Sequence, residues 1–334
     1  MFATPAVAGN LVYVGSCGGT FYAFDKESGK VRWSYDTRAD GPPAQFHADP
    51  LITEELVIVG ADVEPQPCLY AFSRQAGEVY WKEPLEGGIM GDVLRHGNDA
   101  LVVSRHGEVL AFDLATGRRR LVFDKATRPP AGEGPPGSPA LSGDRLFFAL
   151  GSGEVYAVDV ASGRQLWKRD LGTEPTTSVT VSGDALYVGG RGRIYRLSPA
   201  TGAVEATAET EGAAHGTILA AGECILTQWA HGTLACLDPA LKSVRWRQRT
   251  PQEWSAEKPL VWQGAVLTGS KDGDVAGFRL SDGTEVVRLH VVGGMVRGLG
   301  LASDKLLIAG TLIGTVYALP LPDLRSPTVP RRPQ

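Results

Sequence analysis

Hydrophobic and polar positions alternate along this chain in short runs that turn residues separate. A typical run is an apolar strand, a Gly-Asn or Gly-Asp pair and a second apolar strand, which predicts a β-hairpin. It occurs as TPAVAGNLVYVGS, SPALSGDRLFFAL and SVTVSGDALYVGG at 4–16, 138–150 and 178–190. No apolar run approaches the roughly 20 residues that a membrane-spanning helix needs. The pattern therefore predicts a chain built from short strands.

A second phrase follows each hairpin and recurs along the whole chain. Aligned on its third residue, it falls at positions 23, 71, 111, 157, 196, 236, 277 and 318, at intervals of 39 to 48 residues. The best copies are FYAFDKESGKVRW, LYAFSRQAGEVYW, VLAFDLATGRRRL and VYAVDVASGRQLW. Four-stranded units repeated at this length are typical of β-propellers. We expect an all-β, eight-bladed propeller of four-stranded antiparallel blades, with 1–323 as one domain and 324–334 as a proline-rich tail.

Four copies of the phrase end in tryptophan, ten residues after the aligned position. A large ring that recurs in a structural repeat needs no ligand to explain it, and we expect these rings to dock one blade against its neighbour. A small residue at the aligned position leaves room for such a ring. The docking tryptophans are Trp33, Trp81, Trp167 and Trp246.

The phrase A-F-D-x-x-[ST]-G-x-x-x-W, after a hairpin of the form P-A-V-x-x-G-x-V-Y-V-G-S, resembles the pyrroloquinoline-quinone-type propeller repeat over residues 4–323. This family includes quinoprotein dehydrogenases, which hold their cofactor at the propeller axis. It also includes the BamB-type outer-membrane assembly factors, which are scaffolds for protein contacts. The dehydrogenases are longer, and many of the alcohol enzymes carry adjacent cysteines that this chain lacks. The resemblance therefore favours the BamB-type group.

The last repeat is expected to differ from the others. Propellers of this family commonly complete the last blade with a strand from the N-terminal side, and here only Met1 and Phe2 precede the first predicted strand. Proline is tolerated in sheets only at edges, and the tail after Ala318 holds several. Either the last blade is incomplete or an upstream segment is missing. The tail prolines are Pro320, Pro322, Pro327, Pro330 and Pro333.

Composition and charge narrow the possible functions. A hydrophobic fraction of 43% with 21% charged residues is typical of a folded globular protein, and the 42 glycines suit a chain that turns often. The net charge is −4 and the basic residues are scattered, which disfavours a nucleic-acid partner. The N-terminal residues do not show the pattern of an export signal. The resembling family is usually periplasmic or membrane-associated, whereas a complete chain of this sequence would be cytoplasmic, so localisation stays open.

The four cysteines have neither metal-binding spacing nor the density of a disulfide scaffold. Cys224 and Cys236 fall on adjacent predicted strands, where buried free thiols are expected. Cys17 and Cys68 fall in turns of the first two repeats. A bridge between these two is an alternative if the protein is exported.

One face of the predicted propeller carries the long connections. We call it the loop face, defined by segments 38–48, 61–68, 125–137 and 250–257, and the opposite face, made of the tight hairpin turns, the tight-turn face. Binding residues concentrate on loops that a rigid scaffold positions. Alignment of the first strands places ten polar side chains at the pore mouth on the loop face. They are His47, Asp49, Asp92, Ser138, Ser178, His215, Thr217, Glu257, Lys258 and Arg297.

These ten side chains admit more than one interpretation. Polar residues at a propeller channel often just face water, and ligand binding is the alternative. Ser138, His215 and Asp92 could compose a Ser-His-Asp arrangement, but any polar ring allows that. No metal-ligand motif and no phosphate loop occurs in the sequence. We therefore assign no catalytic and no metal residue.

The leading hypothesis is a non-catalytic scaffold, a monomeric propeller without a membrane span or cofactor that binds a protein partner on its loop face. A second hypothesis is a propeller that binds pyrroloquinoline quinone with calcium, or another small ligand, as a dehydrogenase would. A third is an enzyme that uses pore-mouth histidines and carboxylates as acid and base, such as a lyase or hydrolase.

Overall fold

The computed structural model describes residues 4–43, 45–47, 49–62, 67–125, 137–249, 253–254 and 258–324. Regular structure in these residues is antiparallel β-sheet apart from two 3-10 turns, Thr37–Ala39 and Ala230–Gly232. Strands such as LVYVG and LVIVG are buried at every position. Continuous apolar runs are expected where a sheet is covered on both faces. The all-β propeller predicted from the repeat is confirmed.

The first four repeats each form one four-stranded sheet, in which strands pair in chain order. The first sheet contains β1 (Ala6–Ala8), β2 (Leu11–Gly15), β3 (Thr20–Asp25) and β4 (Val31–Asp36). The second contains β5 (Leu51–Ile52), β6 (Leu56–Gly60), β7 (Cys68–Ser73) and β8 (Val79–Pro84). The third contains β9 (Leu94–His96), β10 (Asp99–Val103), β11 (Val109–Asp113) and β12 (Arg119–Phe123). The fourth contains β13 (Ala140–Ser142), β14 (Arg145–Ala149), β15 (Glu154–Asp159) and β16 (Gln165–Asp170).

The fifth and sixth repeats share one six-stranded sheet. Two of its strands each cover what the repeat predicts as two strands and a turn. Gly192 and Gly212 lie inside these long strands with φ of +77° and +94°, so the chain bends there without ending the strand. The strands are β17 (Thr180–Ser182), β18 (Ala185–Leu197), β19 (Val204–Ala221), β20 (Cys224–Trp229), β21 (Thr233–Leu237) and β22 (Val244–Arg249).

The last two repeats form separate sheets. Counting each hydrogen-bonded sheet of the described residues as a blade, the propeller has seven blades, which corrects the expectation of eight. The final sheet has three described strands, whereas the sheets of the first four repeats and of the seventh have four. The seventh repeat forms β23 (Leu260–Trp262), β24 (Ala265–Gly269), β25 (Asp274–Arg279) and β26 (Glu285–His290). The eighth forms β27 (Val296–Ser303), β28 (Leu306–Thr311) and β29 (Val316–Pro320).

Apolar clusters between successive repeats close the chain into a ring. Each cluster takes buried side chains from two consecutive repeats, and one of them joins the last repeat to the first. In that closing cluster Val12 and Val14 pack with Ile308. The starts of the innermost strands therefore face a common axis.

The recurrent tryptophans lie between consecutive repeats, in one repeated arrangement. Each indole packs on a turn glycine of the next repeat, at which an added Cβ would approach the ring within 3 Å. Each indole Nε1 donates to the backbone carbonyl three residues before that glycine. The contacts are Trp33 with Arg74 O (3.1 Å) and Gly77, Trp81 with Leu114 O (3.0 Å) and Gly117, Trp167 with Pro199 O (3.0 Å) and Gly202, and Trp246 with Leu280 O (2.9 Å) and Gly283.

The cysteines differ in part from the expectation. Cys224 and Cys236, expected as free thiols, have their Cα atoms 5.3 Å apart and are joined in a disulfide. Both lie on neighbouring strands of the six-stranded sheet, which brings them within bonding reach. Cys17 and Cys68 are free.

Candidate functional site

A cavity of about 230 Å³ lies where the innermost strands begin, on the loop face. Eight of the ten side chains predicted at the pore mouth line it together. Met90 and Gly137 complete the lining and were not predicted. The eight predicted residues are His47, Asp49, Asp92, Ser138, Ser178, Thr217, Lys258 and Arg297.

Two of the ten predicted residues do not take part in this described cavity. His215 lies in β19 opposite Gln228 and is not part of the lining. Burial lowers the pKa of His215, with Glu253 opposing the shift. Glu257 lies outside the described residues. His47 and His215, both expected at the pore mouth, therefore do not line the same described cavity.

Lys258 bridges the channel. Its ammonium is 2.5 Å from Asp49 Oδ2 and also contacts Asp92 Oδ2. Lys258 precedes β23 of the seventh repeat, whereas the two carboxylates precede β5 and β9 of the second and third repeats. These repeats are not neighbours in the ring, so the ion pairs cross the axis and obstruct the channel at this level.

Burial and neighbouring charges shift the pKa values of Lys258 and Asp92. Burial by itself lowers the pKa of Lys258, but the two carboxylates outweigh it and the pKa is raised. Burial raises the pKa of Asp92, and repulsion from Asp49 adds to this while Lys258 opposes it. Two carboxylates that share one ammonium leave an excess negative charge, which favours uptake of a proton by one of them. Arg297 also lines the cavity, so the two acidic and two basic side chains of the cavity balance in formal charge.

A chain of hydrogen bonds continues from Asp92 around the pore mouth. The Asp92 backbone N–H donates to Ser138 Oγ at 3.1 Å, and the Ser138 N–H donates to Ser178 Oγ at 3.0 Å. The Thr217 hydroxyl then reaches Ser178 Oγ at 3.3 Å. These residues occupy equivalent places in successive repeats, so each hydroxyl ties the start of one innermost strand to the next. The serines therefore have a structural role, which is to fix the cavity wall.

His47 is held by side chains from outside the predicted set. Its Nδ1 lies 2.8 Å from Asp62 Oδ2, and its Nε2 lies 3.7 Å from Cys17 Sγ. Asp62 is buried and also pairs with Arg105 at 3.2 Å. A thiol, an imidazole and a carboxylate in series have the order of a nucleophile, its base and an orienting group. The 3.7 Å separation is longer than a strong hydrogen bond, so the arrangement is only a loose version of that order.

Met90 and Asp62 were not predicted as site residues, although the sequence places both of them near this face. Met90 precedes Asp92 by two positions, as His47 precedes Asp49, so the same alignment would have placed Met90 at the cavity. Asp62 lies in segment 61–68, which the sequence marked as an insertion on this face. Its contact with His47 depends on how that segment folds back, which no spacing in the sequence reveals.

An apolar patch lies on the loop face. It consists of Val292, Leu312 and Ile313, of which Val292 and Ile313 are 77% and 72% exposed. The Leu312 N–H donates to the carbonyl of Met295 at 2.9 Å, and the Tyr317 hydroxyl donates to the carbonyl of Val292, so the two loops are tied together. Val292 lies in the connection before β27, whose second residue lines the cavity, and Leu312 and Ile313 lie in the turn after β28. Exposed apolar groups gathered in one place commonly mark protein-binding surfaces.

The cavity is a poor fit for a calcium-bound quinone. Calcium prefers six to eight oxygen ligands, and the ammonium of Lys258 already stands between the two cavity carboxylates. Among the described residues, no three His, Cys, Asp or Glu side chains converge as a metal site would require. A calcium ion here would have to displace Lys258 and recruit further ligands.

One fold can serve both binding scaffolds and enzymes, so the architecture alone does not define the function. A family model described as "Outer membrane protein assembly factor BamB" matches residues 2–66, 63–186 and 151–294. The chain therefore belongs to this family of PQQ-like propellers. No curated protein sequence matches the chain.

Solved structures share the fold at low sequence identity. BamB from Moraxella catarrhalis superposes with a TM-score of 0.77 at 16% identity over 96% of both chains. The computationally designed Ika8 protein gives 0.79 at 15% identity, again over 96% of both. Quinohemoprotein alcohol dehydrogenase from Comamonas testosteroni gives 0.72 at 13% identity over 92% of this chain and 70% of the other. A scaffold and an enzyme thus share the architecture. No helix in the described part of the chain is long and apolar enough to cross a membrane.

Proposed function

We propose that this protein is a non-catalytic scaffold that binds a protein partner on its loop face. The observation that carries the proposal is the exposed apolar patch of Val292, Leu312 and Ile313 on the loop face, which also holds the charged cavity. An apolar centre with a charged border is the usual composition of a protein-binding surface. The family assignment supports a role in outer-membrane protein assembly, because the family is described by that role.

The cross-channel ion pairs also favour a scaffold. Lys258, Asp49 and Asp92 satisfy one another within the protein, whereas a catalytic acid or base has to reach a substrate atom. Removal of Lys258 would leave two carboxylates facing each other, so its main effect is on the shape and charge of the cavity. We infer that the cluster keeps the loop face rigid.

Variants of the apolar patch test the proposal. Ile313→Glu places a charge where the partner is expected to pack, and Val204→Glu is the control, since Val204 is 44% exposed and lies outside the patch. Each purified variant is immobilised and exposed to an envelope extract of the native host. We expect a specific protein that wild type and Val204→Glu retain and Ile313→Glu loses, with equal melting temperatures. Equal retention by all three would contradict the proposal.

The alternative function is binding of pyrroloquinoline quinone with calcium. The structural similarity to a quinohemoprotein alcohol dehydrogenase supports this alternative. The pairing of Asp49 and Asp92 with Lys258 argues against it, because calcium would need these carboxylates. Titration of the protein with the quinone and Ca²⁺, followed by absorbance, separates the two. Saturable binding that Asp49→Asn and Asp92→Asn each weaken would favour the alternative over the scaffold, because these carboxylates are the oxygen ligands that calcium would need.

A further inference from the structure

The two free cysteines differ in their surroundings. Cys68 is buried, and burial raises the pKa of its thiol to about 12. Cys17 is only half-buried, in the turn between β2 and β3, and its Sγ lies 3.7 Å from Nε2 of His47. Because the thiolate is the reactive form of cysteine, a thiol with a strongly raised pKa reacts poorly near neutral pH. Cys17 is therefore the thiol of this protein that is suited to react.

The hydrogen bonds of His47 make its Nε2 an acceptor. Its Nδ1 lies 2.8 Å from Oδ2 of Asp62, and an ionised carboxylate can only accept. Nδ1 therefore carries the ring proton of the neutral imidazole, and the lone pair of Nε2 faces the sulfur of Cys17. An imidazole placed in this way takes the proton of a thiol when its sulfur attacks.

Asp62 is fixed by contacts with three other segments of the chain. Its side chain is 3% exposed and accepts a second hydrogen bond from Arg105 at 3.2 Å. Its N–H donates to the carbonyl of Gln45, two residues before His47, at 3.1 Å. A Cβ at Gly88 would lie 2.5 Å from the carbonyl oxygen of Asp62, so this close approach requires a glycine. The imidazole and the carboxylate that orients it are thus held in place before any reagent arrives.

The thiol is open to a small molecule on the loop face. Gly18 directly follows Cys17, and a Cβ added there would meet only Ser16 Oγ, at 3.7 Å. The imidazole of His47 also lines the cavity of about 230 Å³. A reagent that approaches the turn therefore meets the sulfur and its base together.

We propose that Cys17 is a modification site, at which the thiol exchanges with a low-molecular-weight disulfide such as oxidised glutathione. As the S–H proton passes to His47 Nε2, Sγ bonds to one sulfur of the disulfide and the S–S bond of the disulfide breaks. The electron pair of that bond leaves with the second sulfur, which takes the proton back from His47. Cys17 is oxidised and the leaving sulfur is reduced. Asp62 stabilises the imidazolium that forms during the exchange.

This site is separate from the surface of the proposed function. Its side chains come from the first three repeats, whereas the apolar patch lies in the seventh and eighth. The exchange modifies the protein once and does not turn over a substrate. The scaffold proposal and the modification proposal can therefore fail independently.

The rate of exchange with oxidised glutathione tests the proposal. The intact protein is incubated with excess reagent at pH 7, and the adduct is followed by mass spectrometry. The reference thiol is the peptide VGSCGGT, residues 14–20, which lacks the histidine and the carboxylate. We expect one adduct per chain, at Cys17, formed at least about tenfold faster than on the peptide, since a positioned base commonly contributes about 10²–10⁴-fold. A rate no greater than that of the peptide, or an adduct at Cys68, would overturn the proposal.

A pair of histidine variants tests the base. In the seventh repeat, His290 Nδ1 lies 2.8 Å from Asp274 Oδ1, which is the same pairing in a part of the chain without a cysteine. We expect His47→Gln to slow the exchange at least about tenfold and His290→Gln to leave it unchanged, with melting temperatures measured for both. An unchanged rate in His47→Gln, or an equal loss in both variants, would rule out His47 as the base.

Nitrogen NMR of the His47 ring tests Asp62 as a positioning residue. In the wild-type protein we expect the ring proton on Nδ1, because Asp62 accepts it. In Asp62→Ala the proton should move to Nε2, the form that an isolated histidine side chain prefers, and the exchange rate should fall with it. A wild-type ring that carries its proton on Nε2 could not accept from Cys17 and would overturn the proposal whether or not the variant folds.

Discussion

Gly202→Ala should destabilise the propeller more than Gly183→Ala, because only the first pushes a methyl group into a docked indole. Both glycines belong to the fifth repeat and have positive φ, +69° and +58°. A Cβ at Gly202 would lie 2.6 Å from the Trp167 ring, whereas a Cβ at Gly183 would meet nothing within 4 Å. Both variants introduce backbone strain, but only Gly202→Ala disturbs the docked indole. The difference between their free energies of unfolding therefore measures the contribution of docking.

The expected magnitudes follow from these two contributions. A left-handed conformation costs a non-glycine residue about 1–2 kcal/mol, and this applies to both variants. Overpacking a filled site adds about 1–3 kcal/mol, and this applies only to Gly202→Ala. The free energy of unfolding, measured by urea titration with fluorescence detection, should fall by about 1–2 kcal/mol for Gly183→Ala and about 2–5 kcal/mol for Gly202→Ala.

A double-mutant cycle isolates the contact with the ring. In a Trp167→Ala background the methyl group at position 202 no longer clashes, so the extra cost of Gly202→Ala should largely disappear. If Gly202→Ala costs no more than Gly183→Ala, or if its cost is the same without the indole, then tight packing of the ring on the turn does not hold the repeats together.

Three further predictions concern stability and cysteine chemistry. Trp167→Ala itself should cost roughly 3–5 kcal/mol in urea unfolding, since it empties a buried aromatic site, and a loss below about 1 kcal/mol would show that the ring is not docked. Contacts with two lysines and a tyrosine outweigh burial and lower the pKa of Glu154 to about 2. Glu154→Gln should therefore lower the melting temperature at pH 7, and the difference should vanish as pH falls from about 4.5 through about 2; a pH-independent difference would contradict this. Thiol titration of the denatured, unreduced protein should find two thiols, because Cys224 and Cys236 are paired, and four thiols would contradict the disulfide.

Repetition made most of the fold predictable from sequence. A strand, turn and strand at a regular interval fix an antiparallel unit, and apolar residues on both faces of a strand indicate neighbours on both sides. The blade count was wrong, because the interval between repeats does not reveal whether a strand ends at its turn. At Gly192 and Gly212 the strands continue through the bend, with a register shift between Arg191 and Arg193, so two repeats share one sheet.

The candidate site was predictable where it follows the repeat and unpredictable where it depends on side-chain reach. Equivalent positions placed Asp49, Asp92 and Lys258 near one axis. Their ion pairing across the channel depends on the length of the lysine side chain and on the final width of the ring. The pairing of His47 with Asp62 depends on the path of an insertion. The role of these residues in binding stays a prediction.

Hydrogen exchange of the protein with its captured partner tests the central claim most directly. The claim is that the partner binds the loop face, where residues 292–295 and 311–314 carry the apolar patch. Amide exchange measured with and without the partner should show protection in these two segments and none in the tight turns at 142–145 and 182–185. Protection confined to the tight turns, with unchanged exchange at 292–295 and 311–314, would contradict the account.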